Sequence, residues 1–73
     1  MALYTNHSRH TSIVTVNIQS TANAQESLEQ GAKLNFEKLK ADVGFHDLVV
    51  DPGQELKVIN DTVATVIGVR SNG

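Results

Sequence analysis

Residues 63–69 constrain this chain most, because the run Val-Ala-Thr-Val-Ile-Gly-Val is apolar on both alternating faces. A strand of this kind is typical of the middle of a sheet that is covered on both sides. A polar turn at Asn60-Asp61 separates it from a shorter strand over 56–59, and both turn residues tolerate the left-handed region. The sequence therefore predicts a hairpin that the rest of the chain covers.

Two further strands are predicted over 12–19 and 45–50, where apolar and polar residues alternate with a period of two. The sequence Asp-Pro-Gly-Gln over 51–54 then predicts a type II turn, because Pro presets φ and Gly supplies a positive φ. The side chains expected to face the core are Val14, Val16, Ile18, Leu48, Val50, Leu56 and Val58.

Residues 24–42 are predicted to form an amphipathic helix. Asn23 and Glu26 have the spacing of a capping box at its start, and Gly44 suits the position after its end. Apolar residues recur at helical spacing along one stripe, which consists of Leu28, Ala32, Phe36, Leu39 and Val43.

Two features weaken the predicted helix. Gly31 lies in its middle and costs about 1 kcal/mol relative to Ala. The alternation over 34–37 also fits the start of a strand, so the sequence leaves 35–42 open between helix and strand.

These elements predict an α+β fold of order β-α-β-β-β, with one helix packed on a mainly antiparallel four-stranded sheet. Residues 12–73 form the single small domain. Residues 1–11 are polar and aperiodic, which indicates a flexible N-terminal arm or a short edge segment.

A chain of 73 residues without cysteine has few means of stabilising itself. Domains of this size bury only about 60% of the surface of the unfolded chain. Disulfides are excluded, so association with a further copy or another protein is expected. The second sheet face is too apolar for open water, and the interface is predicted at Val49, Ile59, Ala64, Val66 and Gly68.

No catalytic, cofactor or metal site is predicted, and the chain is expected not to be an enzyme. His7 and His10, with His46, are the only candidate metal ligands, but the first two lie outside any rigid predicted element. His46-Asp47 with Asp51 and Asp61 suggests acid–base chemistry only if a pocket and an orienting partner exist. Exposed side chains are the expectation for all of them.

The net charge of −2 and the scattered basic residues argue against a nucleic-acid partner. The alternative function is nevertheless a nucleic-acid-binding module that uses Arg9, His7, His10, Lys57 and Arg70. The chain has no run of 18 apolar residues and no signal-peptide core at its start, so a cytoplasmic protein without membrane contact is expected.

Residues 53–72, GQELKVINDTVATVIGVRSN, carry one local resemblance. The stretch is similar to a hairpin of the carbon storage regulator family of small RNA-binding proteins. The resemblance implies a β-hairpin and a link to RNA. The positions that match that family's RNA-binding arginine pair are Val50 and Asp51, which are not basic, so RNA binding is not carried over.

Overall fold

A computed structural model, which describes residues 2–22 and 26–72, contains seven strands in two antiparallel sheets. The strands are β1 (Ala2–Thr5), β2 (Ser12–Ser20), β3 (Leu28–Ala32), β4 (Asn35–Leu39), β5 (Gly44–Val50), β6 (Glu55–Val58) and β7 (Val63–Ser71). The four-stranded sheet has the order β1-β6-β3-β4, and the three-stranded sheet has the order β5-β2-β7.

The core lies between the two sheets. Val14, Val16, Ile18 and Val50 enter it from the three-stranded sheet, and they are all fully buried. Leu28 and Leu56 from the four-stranded sheet complete it, together with Ala41 from the segment before β5. Leu48 and Val58 pack against this cluster, so all seven side chains that the sequence assigns to the core are confirmed.

The predicted helix is wrong, and with it the α+β fold class. None of the described residues is helical, and residues 28–39 form the hairpin of β3 and β4 instead. Leu28 pairs with both Leu39 and Val58, so the supposed helical stripe belongs to two strands. Asn23 of the expected capping box lies outside the described residues.

The β3–β4 turn explains why the sequence favoured a helix here. Its two central residues are Lys33 and Leu34, which are good helix formers and not typical turn residues. Lys33 adopts a φ of 54°, a left-handed conformation that costs a residue other than glycine roughly 1–2 kcal/mol. The hairpin and its pairing with β6 over Leu28–Gly31 offset this local cost.

Gly31 is the residue that makes the hairpin possible. A Cβ at this position would overlap the carbonyl oxygen of Asn35 and lie 2.8 Å from Cα of Phe36. Only glycine permits so close an approach of the two backbones. The glycine that weakens a helix is therefore a requirement of the observed strand pair.

The predicted turns are confirmed, but the predicted hairpins are wrong. Gln54 N donates to Asp51 O at 3.0 Å around Gly53, whose φ is 79°. Thr62 N donates to the carbonyl of Ile59 at 3.0 Å, around Asn60 and Asp61 with φ of 52° and 58°. Each turn carries the chain from one sheet to the other, so β5, β6 and β7 do not pair with one another.

The segment before β2 is part of the domain. Strand β1 pairs with β6 at the edge of the four-stranded sheet, which is the edge segment that the sequence left open as an alternative. Asn6 is fully buried, and its Nδ2 donates to the carbonyls of Val50 and His10 at 2.8 and 2.9 Å. Its Oδ1 accepts from the amide and hydroxyl of Ser8.

The backbone of Asn6 also exchanges two hydrogen bonds of 2.9 Å with the turn between β5 and β6. At the other end of the core, the buried Ser27 hydroxyl bonds to the carbonyl of Ala41 and to Thr21 Oγ1, which in turn contacts Thr62 Oγ1 at 3.0 Å. Buried polar groups of this kind stabilise a fold only when they are satisfied. Hydrogen bonds therefore hold the two crossings at the turns 51–54 and 59–62.

We expect Gly31→Ala to lower the free energy of unfolding by about 2 kcal/mol or more, because backbone atoms must move to admit the methyl group. Denaturant unfolding measures the change. Gly68→Ala is the matched control in β7, where a Cβ meets nothing within 4 Å, and should be neutral or slightly stabilising. Equal losses in the two variants would contradict the proposed close approach.

Asn6→Asp should lower the free energy of unfolding at pH 7 by about 3 kcal/mol, because a buried carboxylate would face two carbonyl oxygens. Burial raises the pKa of such an Asp above its unfolded value of about 3.9. The loss should therefore shrink as the pH falls to this value and grow again as the pH rises. Asn72→Asp, at an exposed position, is the control and should show neither effect.

Candidate functional site

Exposed apolar side chains concentrate on the three-stranded sheet. Among the described residues, seven large hydrophobic side chains are exposed, and one of them, Leu34, lies at the β3–β4 turn of the other sheet. The other six lie in β5 or β7 or directly before β5, and we call them the apolar patch: Val43, Phe45, Val49, Val63, Ile67 and Val69.

The strand register places much of this patch on the outer face of the sheet. The even-numbered residues from Val14 to Ile18 are buried, so the odd-numbered residues of β2 point outward. Phe45 lies opposite Asn17, and Val49 lies opposite Ile13. The side chain of Phe45 is 71% exposed, which is unusual for an aromatic ring without a partner.

A polar row crosses the middle of the same face. Thr15 on the central strand donates its hydroxyl to Asp47 Oδ1 and accepts from Arg70 Nη1 at 3.2 Å. Arg70 Nη2 also lies 3.7 Å from Asp47 Oδ2. These contacts link β5, β2 and β7 and neutralise two opposite charges, so the row presents no net charge to a partner.

The outer face of the four-stranded sheet has a different character. Lys38, Glu29 and Lys57 lie opposite one another on three adjacent strands and alternate in sign. Lys57 Nζ also lies 3.7 Å from Glu55 and 4.1 Å from the ring centre of Phe36. A mixed charged surface of this kind is typical of a face that stays in water.

The residues predicted as an interface are divided by the structure. Val49 is exposed and belongs to the apolar patch, and Ile59 is half-buried in the turn after β6. Ala64 and Val66 pack against the core, and Gly68 lies opposite Thr15. Their role as an interface stays a prediction, but Ala64 and Val66 do not face outward as expected.

A β-bulge accounts for part of this difference. The register with β2 shifts between Thr15, which pairs with Gly68, and Val16, which pairs with Val66. Ile67 is the additional residue, and its side chain is 57% exposed. Sequence alternation alone gives no signal for a bulge, since one extra residue changes which side chains share a face.

A polar cleft of about 360 Å³ opens between the β3–β4 hairpin and the end of β5 with the turn that follows it. Gln30 Nε2 donates to the carbonyl of Val49 there, and Asp51 accepts from Thr11 Oγ1 at 3.1 Å. Many of its polar atoms thus bond to the protein itself. The residues that line it are Gln30, Gly31, Asn35, Glu37, Val49, Asp51 and Gln54.

The candidate metal and acid–base residues do not form a cluster. His7 and His10 are exposed in the loop before β2, and His46 Nε2 lies 2.7 Å from the carbonyl oxygen of Asp42. Asp61 lies in the turn before β7, and Asp47 bonds to Thr15. Within residues 2–22 and 26–72, no group of three or more His, Cys, Asp or Glu side chains is arranged to hold a metal ion.

The basic residues of the nucleic-acid alternative are likewise separated. Lys57 lies on the outer face of the four-stranded sheet, whereas Arg70 lies on the outer face of the three-stranded sheet, and each pairs with an acidic side chain. Strands β6 and β7 also belong to different sheets. The stretch 53–72 is therefore not the hairpin that the resemblance to carbon storage regulators implies.

The described part of the chain contains no helix of the length and apolarity needed to cross a membrane. Comparison with known proteins gave no match to a family model, to a curated protein or to a solved structure.

Proposed function

We propose that this chain is a non-catalytic structural or interaction module that associates with copies of itself through the three-stranded sheet. The observation that supports this function is the apolar patch, which occupies both edge strands of that sheet. A concentration of exposed apolar side chains on one sheet is the pattern expected of a contact surface.

The contrast between the two sheets strengthens the proposal. The outer face of the four-stranded sheet carries charges of alternating sign. The outer face of the three-stranded sheet instead exposes Phe45, Val49 and Ile67 beside a polar row whose charges are paired. Burial of apolar area stabilises an association by about 25 cal/mol per Å². A copy of the chain offers the same apolar surface, so a symmetric contact satisfies both partners.

Small size gives a second argument. The described core contains seven buried apolar side chains, and the chain has no disulfide. A domain with so small a core gains stability from any partner that binds only the folded state. Self-association would therefore contribute to folding as well as to function.

Ile67→Lys should shift the assembly to the monomer of 7.9 kDa at micromolar concentration, because it places a charge within the patch on β7. Light scattering during size exclusion, at two concentrations, measures the mass. Leu34→Lys is the matched control, since Leu34 is fully exposed but lies on the hairpin of the other sheet.

The control variant should keep the mass of the parent. An unmodified chain that stays at 7.9 kDa at every concentration would contradict the proposal. Dissociation by Leu34→Lys, with an unchanged mass for Ile67→Lys, would place the contact on the four-stranded sheet instead.

A further inference from the structure

Strand β7 is the least protected of the four sheet edges. The edge strand β1 has four residues and an irregular register, and β4 carries Glu37 and Lys38. The edge of β5 is partly closed, because Gln30 from the other sheet donates to the carbonyl of Val49. Short strands, charges and covering groups of this kind prevent pairing between sheet edges.

Strand β7 lacks these protections. It has nine residues, and its one charged side chain, Arg70, already pairs with Asp47. Among the described residues, no side chain forms a hydrogen bond with the backbone of β7. The bulge at Ile67 is the remaining feature of β7 that would hinder pairing with another strand. The directions of the backbone N–H and C=O groups show how a partner strand can pair with β7 in spite of it.

The register with β2 fixes which backbone groups of β7 are free. Asn72 N donates to the carbonyl of Thr11 at 2.8 Å. Backbone direction alternates along a strand, so the N–H and C=O groups of Arg70 and Gly68 also point toward β2. The backbone groups of Val69 and Ser71 therefore point away from β2, to the free edge of the sheet. Beyond the bulge, Thr65 lies opposite Asn17 and its backbone groups point toward β2. The backbone N–H and C=O groups of Ala64 and Val66 therefore point to the free edge, although their side chains pack against the core.

The four residues whose backbone groups point to the free edge lie symmetrically about a point between Ile67 and Gly68. A second copy of β7, antiparallel about a twofold axis at that point, places Val66 opposite the partner's Val69 and Ala64 opposite the partner's Ser71. Both pairs match free donors with free acceptors. The bulge of one copy then lies against the bulge of the other, so it creates no mismatch.

The side chains agree with the same register. Val66 and Val69 lie opposite Val16 and Val14 of β2, so both belong to the core face, while Thr65 and Arg70 both belong to the outer face. A twofold axis through Arg70 would instead place two arginines directly opposite, which is destabilising. A register centred on Thr65 would leave the half of β7 after the bulge without a strand partner.

We infer that two copies of this chain pair antiparallel along β7, about an axis between Ile67 and Gly68, and form one continuous six-stranded sheet. The order is β5-β2-β7-β7-β2-β5 across the two protomers. This inference rests on the proposed function and specifies its contact. It joins the two outer faces into one surface, with Ile67 of both copies beside the axis and with Phe45 and Val49 exposed on the outermost strands.

The absence of cysteine makes the register directly testable. In the inferred dimer, Thr65 and the partner's Arg70 form a pair without backbone hydrogen bonds, in which the Cα atoms lie about 4.5 Å apart. This distance is within the range of a disulfide. Thr65→Cys/Arg70→Cys should therefore form a covalent dimer under mild oxidation, seen on a non-reducing denaturing gel.

Thr65→Cys alone is the control. Its two cysteines would lie about 17 Å apart along the strands, so it should give little covalent dimer. Covalent dimer in this control equal to that in the double variant would contradict the register. A dimer in light scattering without a disulfide in the double variant would overturn edge pairing but leave the proposed function intact. A monomeric parent chain would overturn both.

A second pair of variants tests edge pairing without cysteine. Val69 N–H points to the free edge, so Val69→Pro removes a donor to the partner and no hydrogen bond within the chain. It should give a folded monomer, with β-sheet content confirmed by circular dichroism. Val69→Thr keeps the N–H and should remain dimeric. A dimeric Val69→Pro variant would contradict the inference.

Discussion

The passage of the chain between two sheets at successive turns is the constraint on which the rest of the structure depends. The turn at 51–54 takes the chain from the three-stranded to the four-stranded sheet, and the turn at 59–62 takes it back. Each strand after β4 therefore pairs with a partner distant in sequence. The core fills because these crossings bring Val50 and Leu56 to facing sides of it.

Polar contacts support these two crossings, because an apolar core of this size gives only marginal stability. Asn6 supplies it at one end, where its side chain and backbone bond to β5 and to the turn that follows. Ser27, Thr21 and Thr62 supply it near the other crossing. Apolar side chains stay exposed on the outer face of β5 and β7, and the pairing inferred along β7 joins this face to that of a second copy.

The sequence predicts local features well and the pairing of strands poorly. Alternation identified β2, β5 and β6 and their inward residues, an apolar run identified β7, and turn chemistry identified the turns at 51–54 and 59–62. Nothing in a turn motif states whether the next strand returns to the same sheet. Lys33 and Leu34 are not typical turn residues, so the β3–β4 turn was not predicted. Leu28 and Leu39 pair across this hairpin, and their separation along the sequence happens to equal a helical spacing. The interface assignment depended on strict alternation through the bulge at Ile67, and it therefore reversed the faces of Ala64 and Val66.

The separation of β2 from β7 has a consequence for how the chain folds. Thr15 and Arg70, which bond across these strands, are 55 residues apart, so this ladder closes only after a large loss of chain entropy. Until it closes, β2 has an open edge that accepts β7 from any molecule with the same sequence. Intramolecular closure and exchange of β7 between two molecules then compete, and protein concentration during refolding decides between a native protomer and a domain-swapped one.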